Sequence, residues 1–163
     1  MNHSRSLWPR LLSGVILSVV VSAFAYADNP NGTYRLLMRK LTDGTVLTPP
    51  AVQGVGTFKD GVYHLSVFWH TPDGKPASLS RISKWEWSET EVAATPVVFV
   101  FDDGSGKPPV YEWGGEVKRV PVIRQGALVS HQHPLDPVSM VWEGNKETAT
   151  LEGVFTDYWE RVK

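Results

Sequence analysis

The sequence lacks cysteine, and it lacks an excess of either charge. Its 163 residues include no Cys, and 16 Lys plus Arg stand against 17 Asp plus Glu, for a formal net charge of -1. The absence of thiols excludes disulfide scaffolds, thiolate zinc sites and thiol catalysis. With a pI of about 6.5, the composition provides no basic surface of the kind that binds nucleic acid or anionic lipid. We therefore expect no nucleic-acid partner.

Long hydrophobic runs are also scarce, and the one that exists lies at the amino terminus. Arg5 and Arg10 precede an apolar stretch from Leu11 to Phe24. Ala25 and Ala27 then place small residues at the positions that signal peptidase reads. This pattern predicts a signal peptide.

The predicted signal peptide covers residues 1–27, with cleavage after Ala27, and leaves residues 28–163 as one exported domain in the periplasm or outside the cell. The alternative is an uncleaved membrane anchor, since the apolar run comes close to the length that spans a bilayer. No later run approaches that length, so we expect no membrane span in the mature chain.

Residues 28–163 show no sustained helical period. Hydrophobic residues make up 42% of the chain and aromatic residues 11%, which indicates a globular fold rather than a disordered chain. Period-2 patterns broken by turn residues predict strands. The predicted strands are Thr33–Leu41, Val52–Lys59, Val62–His70, Ser78–Thr90, Val92–Phe101 and Val117–Val129, the last with interruptions at Pro121 and Gly126.

Two turns and a final meander complete this interpretation. Asp60-Gly61 predicts a two-residue type I′ hairpin, and Gly144-Asn145 fits another two-residue turn. A final meander is predicted to place Val138, Met140 and Trp142 on one face, and Ala149, Leu151, Gly153 and Phe155 on one face of the returning strand.

The spacing predicts an all-β fold of about eight to ten strands in one antiparallel up-and-down β-barrel, with a β-sandwich as the alternative. A meander leaves two long exposed edges unless its first strand pairs with its last. Closure is therefore favoured, because exposed edges promote aggregation.

Three segments carry a resemblance to a known family. They are Gly32-Thr33-Tyr34-Arg35-Leu36-Leu37 with Asp43-Gly44-Thr45-Val46, the Trp-rich stretch Ile82-Ser83-Lys84-Trp85-Glu86-Trp87, and Thr156-Asp157-Tyr158-Trp159-Glu160-Arg161. The chain resembles the bacterial lipocalin-like domain family. The resemblance implies a barrel over residues 28–163 that holds one small apolar ligand, with Tyr34 at the barrel floor and Arg161 packed over it.

Aromatic side chains are the main indication of a ligand, and their alternative role is a packed core. The predicted ligand-binding residues are Tyr34, Arg35, Tyr63, Trp69, Trp85, Trp87, Trp113, Met140 and Trp142. The aromatic set considered also includes Phe68, Phe99 and Tyr111. The candidates to orient a bound ligand are Arg35, Arg81, His64 and His70.

The four histidines downstream of Ala27 are candidates for a metal site. His131 and His133 would share one face of a strand, and His64 and His70 would share one face of theirs. Pro134 follows at once, so we interpret His131 and His133 as exposed loop residues and predict no metal and no cofactor.

Other motifs give weaker indications. Asp102-Asp103-Gly104-Ser105 is interpreted as an acidic turn rather than a calcium loop, and Asn31-Gly32-Thr33 is a glycosylation sequon of use only in a eukaryotic secretory pathway. Asp136 and Asp157 could serve acid–base chemistry with a histidine.

The sequence thus predicts an exported binding protein for a small hydrophobic or amphipathic ligand. The alternatives are a small exported barrel enzyme of isomerase or cyclase type, which we consider less favoured, and a fully packed envelope protein without a ligand.

Overall fold

The computed structural model describes residues 30–162, which form an all-β fold. The predicted signal peptide, residues 1–27, lies outside the described residues. The strands are β1 (Gly32–Leu41), β2 (Val46–Leu47), β3 (Val52–Lys59), β4 (Val62–His70), β5 (Pro76–Trp87), β6 (Glu91–Asp102), β7 (Val110–Trp113), β8 (Lys118–Pro121), β9 (Ile123–Gln125), β10 (Leu128–Gln132), β11 (Val138–Glu143), β12 (Lys146–Leu151) and β13 (Phe155–Arg161). No helix in this part of the chain is both long and apolar enough to cross a membrane.

All strands belong to one antiparallel sheet. Its order is β7-β6-β5-β4-β3-β1-β13-β12-β11-β10-β9, while β2 adds to β1 and β8 adds to β6. The predicted pairing of the first strand with the last is confirmed, since β1 pairs with β13 along most of its length. The two ends of the sheet instead lie mid-chain, at β7 and β9. Because the hydrogen-bonded path does not close, the predicted closed barrel is not confirmed.

The sheet nevertheless folds over so that its two halves face each other. The Trp85 ring of β5 lies 5.9 Å from the His131 ring of β10, centroid to centroid. Arg81 of β5 likewise pairs with Asp136, which follows β10. One face of the sheet therefore encloses the interior and the other is the outer surface.

The β3–β4 hairpin has the predicted bounds and the predicted turn. Asp60 and Gly61 have φ values of 51° and 74°, as a type I′ turn requires at both central positions. The β11–β12 turn is also confirmed as a two-residue connection, and there only Gly144 has a positive φ, of 62°, which is the type II′ pattern.

Two predicted strands are each divided in the structure. The segment Val117–Val129 forms β8, β9 and part of β10. As predicted, it is interrupted at Pro121, where β8 ends, and at Gly126, which reverses the chain between β9 and β10 with a φ of 62°. The returning strand through Ala149, Leu151, Gly153 and Phe155 is likewise two strands, β12 and β13, with the turn at Gly153. The segment Asp102–Ser105 is an acidic turn as interpreted, since Asp102 and Asp103 each accept a backbone N–H two residues on.

A bulge in β1 changes which residues face inward. The register with β13 shifts between Leu36 and Met38, so Leu37 is the extra residue. Before the bulge, Tyr34 and Leu36 are buried, and after it the buried residue is Arg39. A bulge inserts one residue and so reverses the alternation that follows it. This shift turns the Arg39 side chain into the interior.

One end of the interior is filled by aromatic rings. Phe58 stacks on Tyr63 with centroids 4.2 Å apart, and the edges of Trp85 and Trp142 meet Phe58. Arg161 lies over Tyr34, its Cζ 5.3 Å from the ring centroid, and its Nη2 donates to the Tyr34 hydroxyl at 2.7 Å. The contact that the resemblance implied between these two residues is therefore present.

Gly54 and Gly56 of β3 offer a test of this packing. A Cβ on Gly54 would lie 2.6 Å from Trp159 Cη2, whereas a Cβ on Gly56 would meet nothing closer than 3.7 Å. We predict that Gly54→Ala lowers the free energy of unfolding by about 1–3 kcal/mol, because a buried indole must move.

Gly56→Ala is the matched control and should change stability by no more than about 1 kcal/mol, in either direction. Urea unfolding of both variants checks the prediction. Equal effects of the two substitutions would show that Trp159 does not depend on the space at Gly54.

Candidate ligand-binding site

The interior contains a cavity of about 730 Å³ above the aromatic end. Its mouth lies among the β1–β2, β4–β5 and β12–β13 turns, where Leu41, Thr71 and Val154 line it. Its deep end reaches Tyr63, Glu147 and Trp159. The cavity is therefore a cup with an aromatic floor and a rim of loops.

The walls are mostly apolar. They are built by inward residues of alternating strands, because successive side chains of a strand point to opposite faces. The apolar wall includes Leu47, Leu65, Val67, Trp69, Leu79, Phe101, Val138, Met140, Ala149, Leu151 and Phe155.

An ion pair crosses the seam between β1 and β13 inside this cavity. Arg39 Nε donates to Asp157 Oδ1 at 2.6 Å and Nη2 donates to Oδ2 at 2.7 Å, and both side chains are buried. The guanidinium also lies over the Phe155 ring, 4.0 Å from its centroid. Burial raises the pKa of Asp157, and the Arg39 guanidinium partly offsets that shift. The pair fixes the two strands together and leaves little of Arg39 free for a guest.

Glu147 of β12 is buried at the deep end between two indoles. Its register partners are Trp142 of β11 and Trp159 of β13. Loss of solvent around the carboxyl raises the pKa of Glu147 to about 8. The nearby Trp142 indole acts in the opposite direction, although its N–H makes no hydrogen bond of ordinary geometry to a residue in the described range. Glu147 is therefore mostly a neutral acid at pH 7.

His133 and Asp136 come together at one side of the cavity. Asp136 accepts a hydrogen bond from Arg81 Nη2 at 2.9 Å and lies 3.4 Å from His133 Nδ1. That same Nδ1 accepts the backbone N–H of Leu135 at 3.1 Å, so the imidazole proton is on Nε2. Burial, with Arg81 nearby, holds the pKa of His133 well below its usual range. Asp136 thus serves mainly as the partner of Arg81.

The interpretation of His131 and His133 as exposed loop residues was wrong. Both are buried. His131 points inward from β10, which ends at Gln132, and His133 follows that strand directly. His131 Nδ1 donates to the Gln132 carbonyl at 2.6 Å, and burial lowers the pKa of His131 to about 4.

His64 lies on the outer surface and His70 lines the mouth, so neither joins the buried pair. Within residues 30–162 no three His, Asp or Glu side chains are placed to hold one metal ion.

The predicted ligand-binding residues fall into three groups. Tyr63, Trp69 and Met140 line the cavity. Buried or partly buried beneath it are Tyr34, Trp85, Trp87 and Trp142, which form the aromatic floor. Arg35 and Trp113 lie on the outer surface, where Arg35 pairs with Glu160 at 3.0 Å and Trp113 is 77% exposed.

Sequence reasoning missed Arg39, Glu147 and His133 as cavity residues, and named Asp157 only for acid–base chemistry. A signal existed for Glu147, because by strand alternation it lies on the same face as Ala149 and Leu151, which were predicted to share one face. No comparable signal existed for Arg39, because the bulge at Leu37 reverses its parity.

Comparison with known proteins adds no relative. No family model matches the sequence, and neither a curated protein nor a solved structure was found that resembles it significantly.

The buried ion pair yields a stability prediction. Asp157→Asn should lower the free energy of unfolding by about 3 kcal/mol or more, because Arg39 is left buried without a counter-charge. Glu160→Gln is the control, since its partner Arg35 is largely exposed, and it should cost less than about 1 kcal/mol. Denaturant melts at pH 7 compare the two. Similar small losses in both variants would show that Arg39 does not depend on Asp157.

Glu147 yields a pH prediction. Its folded-state pKa of about 8 exceeds the ordinary 4.5, so the folded protein retains a proton that the unfolded chain releases between these values. This group therefore lowers the free energy of unfolding by roughly 1 kcal/mol for each pH unit as pH rises through that window. We predict that Glu147→Gln becomes progressively more stable than wild type from pH 5 to pH 8.

The contributions of the two buried histidines are common to both proteins and cancel in this difference. Glu152→Gln, at an exposed position in the β12–β13 turn, should give a difference that does not vary with pH. Thermal or urea melts at several pH values measure both differences. A flat difference for Glu147→Gln would mean that Glu147 is ionised in the folded protein throughout this range.

Proposed function

We propose that this chain is an exported binding protein that holds a small hydrophobic or amphipathic molecule inside its curled sheet. The observation that carries the proposal is the cavity of about 730 Å³ with its apolar walls. Ligand sites in proteins fall in the range of about 300–1,000 Å³ and combine apolar linings with a few polar groups. A fully packed interior would leave no such space.

The character of the walls supports an apolar guest. Transfer of apolar surface from water into this cavity would contribute about 25 cal/mol for each Å² that is buried. The deep polar groups Glu147 and His133 are few and could orient the guest. The loops at the mouth provide its entry.

A barrel of the lipocalin-like type is the architecture that we propose for this sheet. It is supported by the pairing of β1 with β13 and by the approach of β8 to β10 across the open side. The packing of Arg161 on Tyr34 agrees with the expectation carried by the opening strand. Export is supported by the amino-terminal pattern of residues 1–27 alone.

Filling the cavity tests the proposal. N-phenyl-1-naphthylamine, an uncharged fluorophore that emits more strongly in apolar surroundings, should bind the wild-type protein at about one molecule per chain. Ala149 lines the cavity wall, so Ala149→Phe should reduce the affinity about tenfold or more by occupying the space of the probe.

Thr148→Phe is the control, because Thr148 is the neighbouring residue on the other face of β12. It should leave the affinity within about threefold of wild type. Fluorescence titration measures all three proteins. Loss of affinity in both variants, or in neither, would place the probe outside the cavity and contradict the proposal.

A further inference from the structure

Glu147 differs from Asp157 and Asp136, which also line the cavity, because no described cation pairs with it. Arg39 and Asp157 neutralise each other, and Arg81 and Asp136 form a second pair. Within residues 30–162, no cationic side chain forms an ion pair with Glu147, although the carboxyl is buried and lines the cavity. An ionised carboxylate is costly in such a place unless a cation accompanies it.

We propose that the preferred ligand is an amphipathic amine, whose ammonium group pairs with the carboxylate of Glu147 at the deep end while its apolar part lies along the walls toward the mouth. This inference depends on the proposed binding function and adds the chemical class of the ligand.

The surroundings of Glu147 favour a cation over an anion. An anionic head group would face both Glu147 and Asp157, and the Arg39 guanidinium is already engaged by two short hydrogen bonds to Asp157. An ammonium would instead meet one carboxyl that no described cation pairs with. Of the rings beside that carboxyl, those of Tyr63 and Trp159 also line the cavity, and aromatic faces attract cations.

The aromatic surroundings also explain how the carboxyl could ionise when an amine arrives. The indole N–H of Trp142, which makes no hydrogen bond of ordinary geometry to a described residue, favours the carboxylate, and the ammonium supplies a positive charge. At pH 7 the proton of Glu147 passes to the buffer as the ammonium binds, so charge and protons balance. The titratable groups that interact with Glu147 from the neighbouring strands are Asp157, Tyr63 and Tyr34. Arg39 and His133 also line the cavity.

Calorimetry with three eight-carbon probes tests the inference. Octylamine, 1-octanol and octanoate have the same tail and differ in head group. We expect octylamine to bind at least about tenfold more tightly than 1-octanol, and octanoate to bind most weakly. In buffers of different ionisation enthalpy, octylamine binding at pH 7 should release close to one proton and 1-octanol binding should release none.

The variant Glu147→Gln keeps the shape of the side chain without its charge. It should lose about tenfold or more in octylamine affinity and keep 1-octanol affinity within about threefold, while Glu152→Gln should match wild type for both probes. If Glu147→Gln does not fold, proton release by the wild-type protein decides the question alone.

The outcomes distinguish a failure of the amine inference from a failure of the proposed binding function. If 1-octanol and the naphthylamine probe bind but octylamine binds no more tightly and releases no proton, the amine inference is wrong and the binding function remains. If none of the probes binds, both are wrong. If Glu147→Gln folds and loses affinity for octylamine and 1-octanol equally, Glu147 shapes the cavity without recognising a charge.

Discussion

The burial of charge is the constraint on which the interior of this protein depends. An unpaired charge in an apolar interior costs several kcal/mol, so buried ionisable groups are paired or neutral. Arg39 and Asp157 satisfy this rule by pairing across the seam between the first and last strands. His131 and His133 satisfy it by remaining neutral, each with its Nδ1 in a hydrogen bond to the local backbone. Glu147 satisfies it by retaining its proton.

The seam is the pairing of the first strand, β1, with the last strand, β13. Three arginines in different surroundings lie along this seam, and each contacts a residue of the paired strand. Arg39 contacts Asp157 in the interior, and Arg161 contacts Tyr34 at the aromatic end. Arg35 contacts Glu160 on the surface. Of these, the buried contacts hold the first and last strands of the chain together. The open side of the sheet lies mid-chain, where β7 and β9 are short and exposed strands at its two edges.

Period-2 hydrophobic patterns and turn residues predicted those strands in which inward and outward side chains alternate without a bulge. Val52–Lys59 and Val62–His70 have the predicted bounds because the turn between them needs a positive φ at both central positions, and Asp-Gly supplies it. The pairing of first and last strands followed from the general cost of exposed edges. The bulge at Leu37 could not be predicted, because it depends on how β1 matches β13 rather than on the residues of β1 alone. Arg39 was therefore missed, and with it the partner of Asp157.

The candidate site was predicted as aromatic, and aromatic residues do form its floor and part of its walls. The polar groups that distinguish a ligand site from a packed core escaped prediction for a different reason. His133 stands directly before Pro134 and His131 two residues earlier, a setting typical of a loop, yet the curl of the sheet carries β5 over them and buries both. Burial of this kind arises from contacts between residues far apart in the sequence. The hydrophobic period and the turn residues carry information only about residues that are close together in the sequence.

A buried acid that pairs with no cation in the described part of the chain has a cost that selection for stability alone would remove. A glutamine at position 147 would have the same shape and no ionisation to suppress, so the free energy of unfolding above about pH 5 favours the amide over the acid. Retaining the acid is reasonable where the carboxyl performs a task that the amide cannot, and proteins commonly accept such local costs at functional sites. For the amine ligand that we propose, the task that an amide cannot perform is to provide a negative charge to the ammonium group. In that proposal, the neutral state that makes Glu147 tolerable in the interior also makes its ionisation conditional on the bound amine.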